Sequence, residues 1–195
     1  MSLTHLLYLH GFRSSPQSTK ARRMARWVAE EQPLLRFENP QLPPSPAEAI
    51  ALCERLVAGW PIERMAVVGS SLGGFYATVL AERLGCRAAV LNPAVDPARD
   101  LHAYIGTQSY WHDASQTFEV LPEFMDELQG MTPGPLRDPQ RYFALIAKGD
   151  ELLDWREMSA RYQGAHMVLL EGSDHGITDF EDHLPALTRF LLETP

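Results

Sequence analysis

Apolar residues along this chain follow two alternating patterns. Short runs with an apolar residue at nearly every position occur at Leu6–His10, Leu34–Glu38, Met65–Gly69, Ala88–Leu91, Tyr142–Ala147 and Met167–Leu170. Such runs predict strands covered on both faces. Between them lie longer stretches with apolar residues every three or four positions, which predict helices over Ser18–Glu31, Pro46–Ala58, Leu72–Leu84, Trp155–Tyr162 and Phe180–Leu192. In the first helix Ala21, Met24, Ala25 and Val28 share one face, and in the third Ala77, Leu80, Ala81 and Leu84 do. Strands joined through single helices require crossovers. The pattern therefore predicts an α/β fold with a mostly parallel six-stranded sheet and helices on both faces.

The alternation stops between Asn92 and Gln140. This stretch carries Pro93, Pro97, Pro122, Pro133, Pro135 and Pro139, with the aromatics Tyr104, Tyr110, Trp111, Phe118 and Phe124. An unstructured loop of that length is uncommon in a compact domain. The expectation is a small cap inserted at about 92–140, with short helices over Pro97–Ile105 and Leu121–Gln129. The 195 residues fit one domain containing that insertion. Pro40–Pro46 reads as a connector ending in Ser45 as N-cap and Pro46 as the first helical residue.

Composition narrows the classes. Hydrophobic content of 45% against 22% charged residues is that of a folded globular chain rather than a disordered one. Seventeen basic against 25 acidic side chains give a net charge of −8, which argues against a nucleic-acid partner, since phosphate backbones demand a basic face. The N-terminal apolar stretch Leu6–Leu9 is too short for a secretion signal and lacks a basic flank. No run approaches the ~18 apolar residues of a spanning helix, so no membrane partner is expected. Cys53 and Cys86 sit in apolar surroundings and predict buried, reduced thiols, as in a cytoplasmic protein.

Candidate chemistry begins where the third strand ends. Met65–Val68 runs into Gly69-Ser70-Ser71-Leu72-Gly73-Gly74 and then a helix, which is G-x-S-x-G between a strand and a helix. A turn this sharp strains its central residue and tolerates only small neighbours two positions away. Ser71 is the candidate nucleophile, above a helix N-terminus whose free N–H groups favour a developing oxyanion. A simple glycine-rich helix start with a capping serine is the plainer reading. A phosphate-binding loop is excluded, because Phe75 stands where that loop needs lysine.

With this motif, Leu7-Tyr8-Leu9-His10-Gly11-Phe12 and Gly172-Ser173-Asp174-His175-Gly176, the chain resembles the α/β-hydrolase superfamily, and within it the small YqiA-type (UPF0227) esterases. The resemblance spans nearly the whole chain and is weakest across the cap. It implies the α/β-hydrolase fold, a Ser–His–Asp triad and hydrolysis of a small-molecule ester or thioester without a cofactor. The superfamily order of serine, acid, then histidine discards His5 and His10 as the base. Of the later histidines, His166 opens the last strand and His183 lies in the last helix. His175 sits in the loop just after that strand, at the carboxyl edge where open α/β sheets build their sites, and is the candidate base.

The orienting acid is expected after the preceding strand. Asp150 follows Gly149 as the family pattern implies; Glu151 and Asp154 are its rivals, and Asp154 more naturally caps the helix beginning at Trp155. Asp174 is too close in sequence to His175 to fold back onto its ring. Oxyanion donors are expected from the N–H of Leu72, after the nucleophile, and of Phe12, in the loop resembling the family's HG-type motif. His10 reads as a brace of that loop.

On the substrate side, Tyr110 and Trp111 either line a pocket or fasten the cap. Helix 18–31 places Lys20, Arg22, Arg23 and Arg26 early and Glu30 and Glu31 late, against the helix dipole. One reading is a solvated face with an Arg26–Glu30 pair. The other is that this patch, with Arg13 just upstream, attracts an anionic part of the substrate, such as a carboxylate or a coenzyme A phosphate. No metal-ligand spacing occurs among the histidines and cysteines. A non-catalytic small-molecule binder on the same scaffold is the alternative of another class.

Overall fold

The structure, a computed structural model, describes residues 2–193. Six strands form the main sheet: β1 (His5–Leu9), β2 (Arg36–Glu38), β3 (Met65–Ser70), β4 (Arg87–Leu91), β7 (Tyr142–Ala147) and β8 (His166–Leu170). Their spatial order is β2-β1-β3-β4-β7-β8, and every pairing is parallel. Helices α1 (Thr19–Glu31), α2 (Pro46–Val57), α3 (Leu72–Leu84), α6 (Trp155–Arg161) and α7 (Phe180–Leu192) supply the crossovers and the final layer.

Strand alternation divides the core in two. Leu6, Tyr8, Ala66, Val68, Ala89, Leu91, Phe143 and Leu145 face one side and pack with Met24 and Trp27 of α1 and Leu187 and Phe190 of α7. Leu7, Leu9, Val67, Val90, Tyr142 and Ala144 face the other, against Ile50 and Cys53 of α2, Phe75 and Leu80 of α3 and Met158 of α6. Both faces of β3 are covered, and burying one large apolar side chain contributes about 1.5–3 kcal/mol. Local signals set the helix starts. Ser45 accepts from Glu48 N–H ahead of Pro46, and Ser18 caps α1 by accepting from Ala21 N–H.

Strand β2 is shorter than the expected Leu34–Glu38, because Leu34 is 98% exposed in the turn before it. The segment between β4 and β7 differs more. It holds α4 (Pro97–Leu101), α5 (Glu123–Met131) and, unanticipated, an antiparallel hairpin of β5 (Gly106–Ser109) and β6 (Thr117–Val120). The helix expected over Pro97–Ile105 gives way to a 3₁₀ turn at His102–Tyr104 before that hairpin begins. Short polar strands joined by a long loop carry no alternation strong enough to read.

Chain connectivity locates the site. From β1 the chain crosses to β2 on one side, then returns past β1 to β3 on the other. The carboxyl ends of β1 and β3 thus flank a topological switch point, where loops diverge and leave a crevice. His10-Gly11-Phe12 leaves β1 there, and Ser71 leaves β3 beside it.

Candidate active site

Ser71 links β3 to α3 at φ 55° and ψ −122°, a region few non-glycine residues enter. Its N–H donates to Leu91 O at 3.0 Å, and its carbonyl accepts from the N–H groups of Gly74, Phe75 and Ala94 at 2.9, 3.3 and 3.1 Å. The turn is tight because glycine flanks it. A Cβ on Gly69 would lie 2.0 Å from Gly73 O, and one on Gly73 would lie 2.1 Å from Leu9 O. Strand, helix start and β1 touch backbone to backbone, which fixes the Ser71 side chain above the sheet edge.

Two further loops converge on it. His175 Nε2 lies 3.0 Å from Ser71 Oγ, and His175 Nδ1 lies 2.8 Å from Asp150 Oδ2. The Asp150 carboxylate is fully shielded, and its Oδ1 accepts from Leu152 and Leu153 N–H, each at 2.8 Å. An ionised carboxylate only accepts, so the shared proton sits on His175 Nδ1. The Nε2 lone pair then faces the Ser71 hydroxyl. Of the rival acids, Glu151 Oε2 accepts from the His175 main-chain N–H at 3.0 Å, and Asp154 caps α6 by accepting from Arg156 N–H at 2.8 Å. Asp174 Oδ1 accepts from Thr178 N–H. None of the three bonds to the imidazole.

Sequence reasoning gave Asn92 no role. It is fully buried at the end of β4, where its amide donates to the carbonyls of Asp174 (2.9 Å) and His175 (3.2 Å) while its Oδ1 accepts from Ala147 N–H (2.8 Å). One side chain thus ties the end of β7 to the His175 loop. The loops also meet at Gly149, where an added Cβ would lie 2.2 Å from Ser173 O. An asparagine at a strand end was the available signal, and by itself it is weak.

The Phe12 and Leu72 N–H groups have no hydrogen-bond partner among the described residues. Gly11 presses close to Ser71, a Cβ there lying 3.1 Å from Ser71 Cβ. His10 holds this loop from beneath. Its Nδ1–H donates to Gly11 O at 2.9 Å, and its Nε2 accepts from Leu42 N–H at 3.1 Å. Burial pushes the His10 imidazole down to about 4, so it stays neutral.

Ser71 and His175 open into a cavity of about 690 Å³ that is also lined by Phe12, Trp111, Leu152 and Lys20. Arg13 stands on its wall, but its Nε donates to Ser109 O (2.6 Å), its Nη2 to Ser109 Oγ (3.1 Å), and its guanidinium lies 4.1 Å over the Trp111 ring. Trp111 N–H donates back to Arg13 O at 2.9 Å. Arg13 therefore fastens the β5–β6 hairpin to the loop after β1. Tyr110 lies off this cavity, against Phe118 and beside a separate groove with Gln41 and Pro43. The Phe12 ring meets Tyr104 and Phe118 edge-on, so most of the aromatics between β4 and β7 fasten that segment down. Arg23 pairs with Glu181 of α7 rather than facing substrate. Among the described residues no cluster of three or more metal-ligating side chains occurs, and no helix is long and apolar enough to cross a membrane.

Residues 5–192 match the family described as "Uncharacterised protein family (UPF0227)", and the chain belongs to that family. Solved structures share the fold at low identity. Alpha/beta hydrolase domain-containing protein 10 from mouse aligns at a TM-score of 0.69 and 14% identity, over 98% of this chain and 92% of its own. Est1E from Butyrivibrio proteoclasticus, solved with ferulic acid bound, gives 0.71 at 14% identity over 99% and 90%. The esterase Pf2001 from Pyrococcus furiosus gives 0.60 at 15% identity over 97% and 80%.

Proposed function

Starting from membership of that family, we propose that the protein is a serine hydrolase that cleaves small-molecule carboxylic esters or thioesters through an acyl-enzyme. The observation that carries this reading is the continuous relay from Ser71 Oγ through His175 to Asp150, at 3.0 and 2.8 Å. A serine hydroxyl is a poor nucleophile until a positioned base removes its proton. As Ser71 Oγ attacks the carbonyl carbon, His175 Nε2 takes that proton, and the buried Asp150 carboxylate stabilises the resulting imidazolium without accepting a proton itself.

The negative charge moves to the former carbonyl oxygen. The unpartnered N–H groups of Phe12 and Leu72, with the α3 dipole beneath, are the donors that receive it. The tetrahedral adduct collapses, and the alkoxide or thiolate leaves with the proton from His175. Water then attacks the acyl carbon, His175 removes its proton, and Ser71 is released with the free acid. Every proton and electron pair is supplied by substrate, water and these side chains, so the scheme calls for no cofactor. Trp111 and Leu152 form an apolar flank for the acyl or leaving group. We read the segment at about 92–140 as a cap within a single domain. The two buried free thiols fit a reducing, cytoplasmic setting.

Treatment with a fluorophosphonate tests the proposal. The expected result is one covalent adduct on Ser71, absent in Ser71→Ala, together with hydrolysis of 4-nitrophenyl esters that the variant loses. A folded wild-type protein that neither labels nor hydrolyses overturns it in favour of a non-catalytic binder.

A further inference from the structure

The charge order of α1 runs against its dipole, and the catalytic chemistry above leaves it unused. The first turn of this 13-residue helix contains no acid and carries Lys20 and Arg22, with Arg23 next. Its N-terminal end faces the catalytic cavity, with Ser18, Thr19 and Lys20 on the wall shared with Ser71 and His175. The Thr19 and Lys20 N–H groups, in the first turn, have no acceptor among the described residues.

A second feature at the same place is independent of the helix. Tyr8 of β1 is fully buried and lines this cavity, and its hydroxyl has no hydrogen-bond partner among the described residues. An orphaned buried hydroxyl is destabilising, and a bound acceptor relieves that cost. Burial raises the phenol further above its usual range, so it remains a donor at any working pH. The Ser18 hydroxyl beside it caps α1 by accepting from Ala21 N–H and pulls weakly the other way on the phenol.

Lys20 completes the group. Its Nζ donates to Gly176 O, which uses one of three ammonium protons and leaves two. Asp150 and Asp174 are the carboxylates that act on it, and both are committed elsewhere, to His175 and two backbone N–H groups and to Thr178 N–H. Arg13 and Arg23 are likewise spent, on Ser109 and Glu181. This end of the cavity thus gathers a phenol, an ammonium and two main-chain N–H groups, all of them donors.

We propose that these groups form a subsite for an anionic oxyacid group, carboxylate or phosphate, carried by the ester substrate. The inference rests on the serine-hydrolase reading and adds a substrate class to it. The anion accepts from the Tyr8 hydroxyl and the helix N–H groups and pairs with Lys20, while the scissile carbonyl lies at Ser71. Helix N-termini favour anions for the same reason that acids are favoured in a first turn.

Matched substrate pairs provide the test. One arm compares the 4-nitrophenyl monoester of glutaric acid with 4-nitrophenyl pentanoate, and a second compares acetylated glycerol phosphate with acetylated glycerol. The expected result is a kcat/KM ratio, anionic over neutral, of about tenfold or more in at least one arm, expressed mainly in KM. The arm that shows it identifies the anion as carboxylate or phosphate. Lys20→Met and Tyr8→Phe each reduce the ratio about tenfold, and Lys20→Arg restores part of it. Because the readout is a ratio, a change that falls on both substrates cancels. Wild type with a ratio near one in both arms, or variants that leave the ratio intact, overturn the subsite.

The ratio also depends on pH. Burial lowers the Lys20 ammonium to about 8 against the opposing pull of Asp174 and Asp150. Asp150 and Asp174 act on it directly, and the titratable groups that share its cavity are Tyr8, His10, Arg13, Asp100, Tyr104, Glu151 and His175. The preference is present below about pH 8 and fades above it, and Lys20→Arg removes the fading. Calorimetric binding of the monomethyl ester of glutaric acid and of acetylated glycerol phosphate to Ser71→Ala keeps the subsite testable without turnover. At least one binds and loses about tenfold in affinity when Lys20→Met is added; no binding of either, or equal affinity with and without Lys20→Met, overturns the subsite whatever the fluorophosphonate result.

Discussion

Ser71 and Trp111 border the same cavity, yet they are held in different ways. Four main-chain hydrogen bonds fix the Ser71 backbone, and two glycine contacts leave the turn no room to relax. Trp111 is 72% exposed and is held by one main-chain hydrogen bond and a stacked guanidinium. The first arrangement suits chemistry, where a displacement of an ångström is costly. The second suits recognition, since a lightly tethered wall adjusts to different substrates without disturbing the relay. On the proposed hydrolase reading, the contrast predicts that rate and selectivity separate under mutation.

The largest expected break is Asp150→Asn. The amide presents a donor to His175 Nδ1, which drives the ring proton to Nε2 and blocks proton uptake from Ser71. We expect kcat to fall by about 10⁴-fold with the fold retained, checked by steady-state kinetics alongside circular dichroism. A loss under tenfold would mean that another group orients the base. Next is Gly73→Ala, which forces a methyl group into Leu9 O. A main-chain shift at the switch point is expected to lower stability by about 3 kcal/mol or more, read as a fall in the urea midpoint; an unchanged midpoint would show that the floor has slack. Smallest is Arg13→Ala, which frees the hairpin. KM is expected to rise about two- to fivefold, as for loss of an exposed cation–π contact of about 0.5–1 kcal/mol, with a much smaller change in kcat. A collapse of kcat instead would tie the hairpin to the chemistry and erase the distinction.

Sequence alone made the floor readable and the wall obscure. The elbow is local: strand, small residues, serine and helix follow one another within Met65–Leu84, and each constrains its neighbour. The convergence of Asp150 and His175 on Ser71 was legible through their position after strands. Arg13 was expected to attract anions, but its partners Ser109 and Trp111 lie almost a hundred residues away, on a hairpin too polar and short to foresee. Tyr110 and Trp111 are adjacent in sequence just past β5, yet only the second reaches the cavity, while Tyr110 packs on Phe118. Asn92 and Tyr8 work through long-range contacts that leave no periodic trace.

His10 carries a further consequence, one of proton linkage. In the unfolded chain its imidazole takes up a proton near its ordinary 6.5, whereas in the folded protein it does so only near 4. Between those values the unfolded state binds more protons, so acidification favours unfolding. Stability is full above about 6.5 and declines as pH falls toward 4, by about 3 kcal/mol in all for this group. The brace beneath the Phe12 loop therefore sets an acid limit on the whole molecule, one that belongs to its architecture rather than to the Ser71–His175–Asp150 relay.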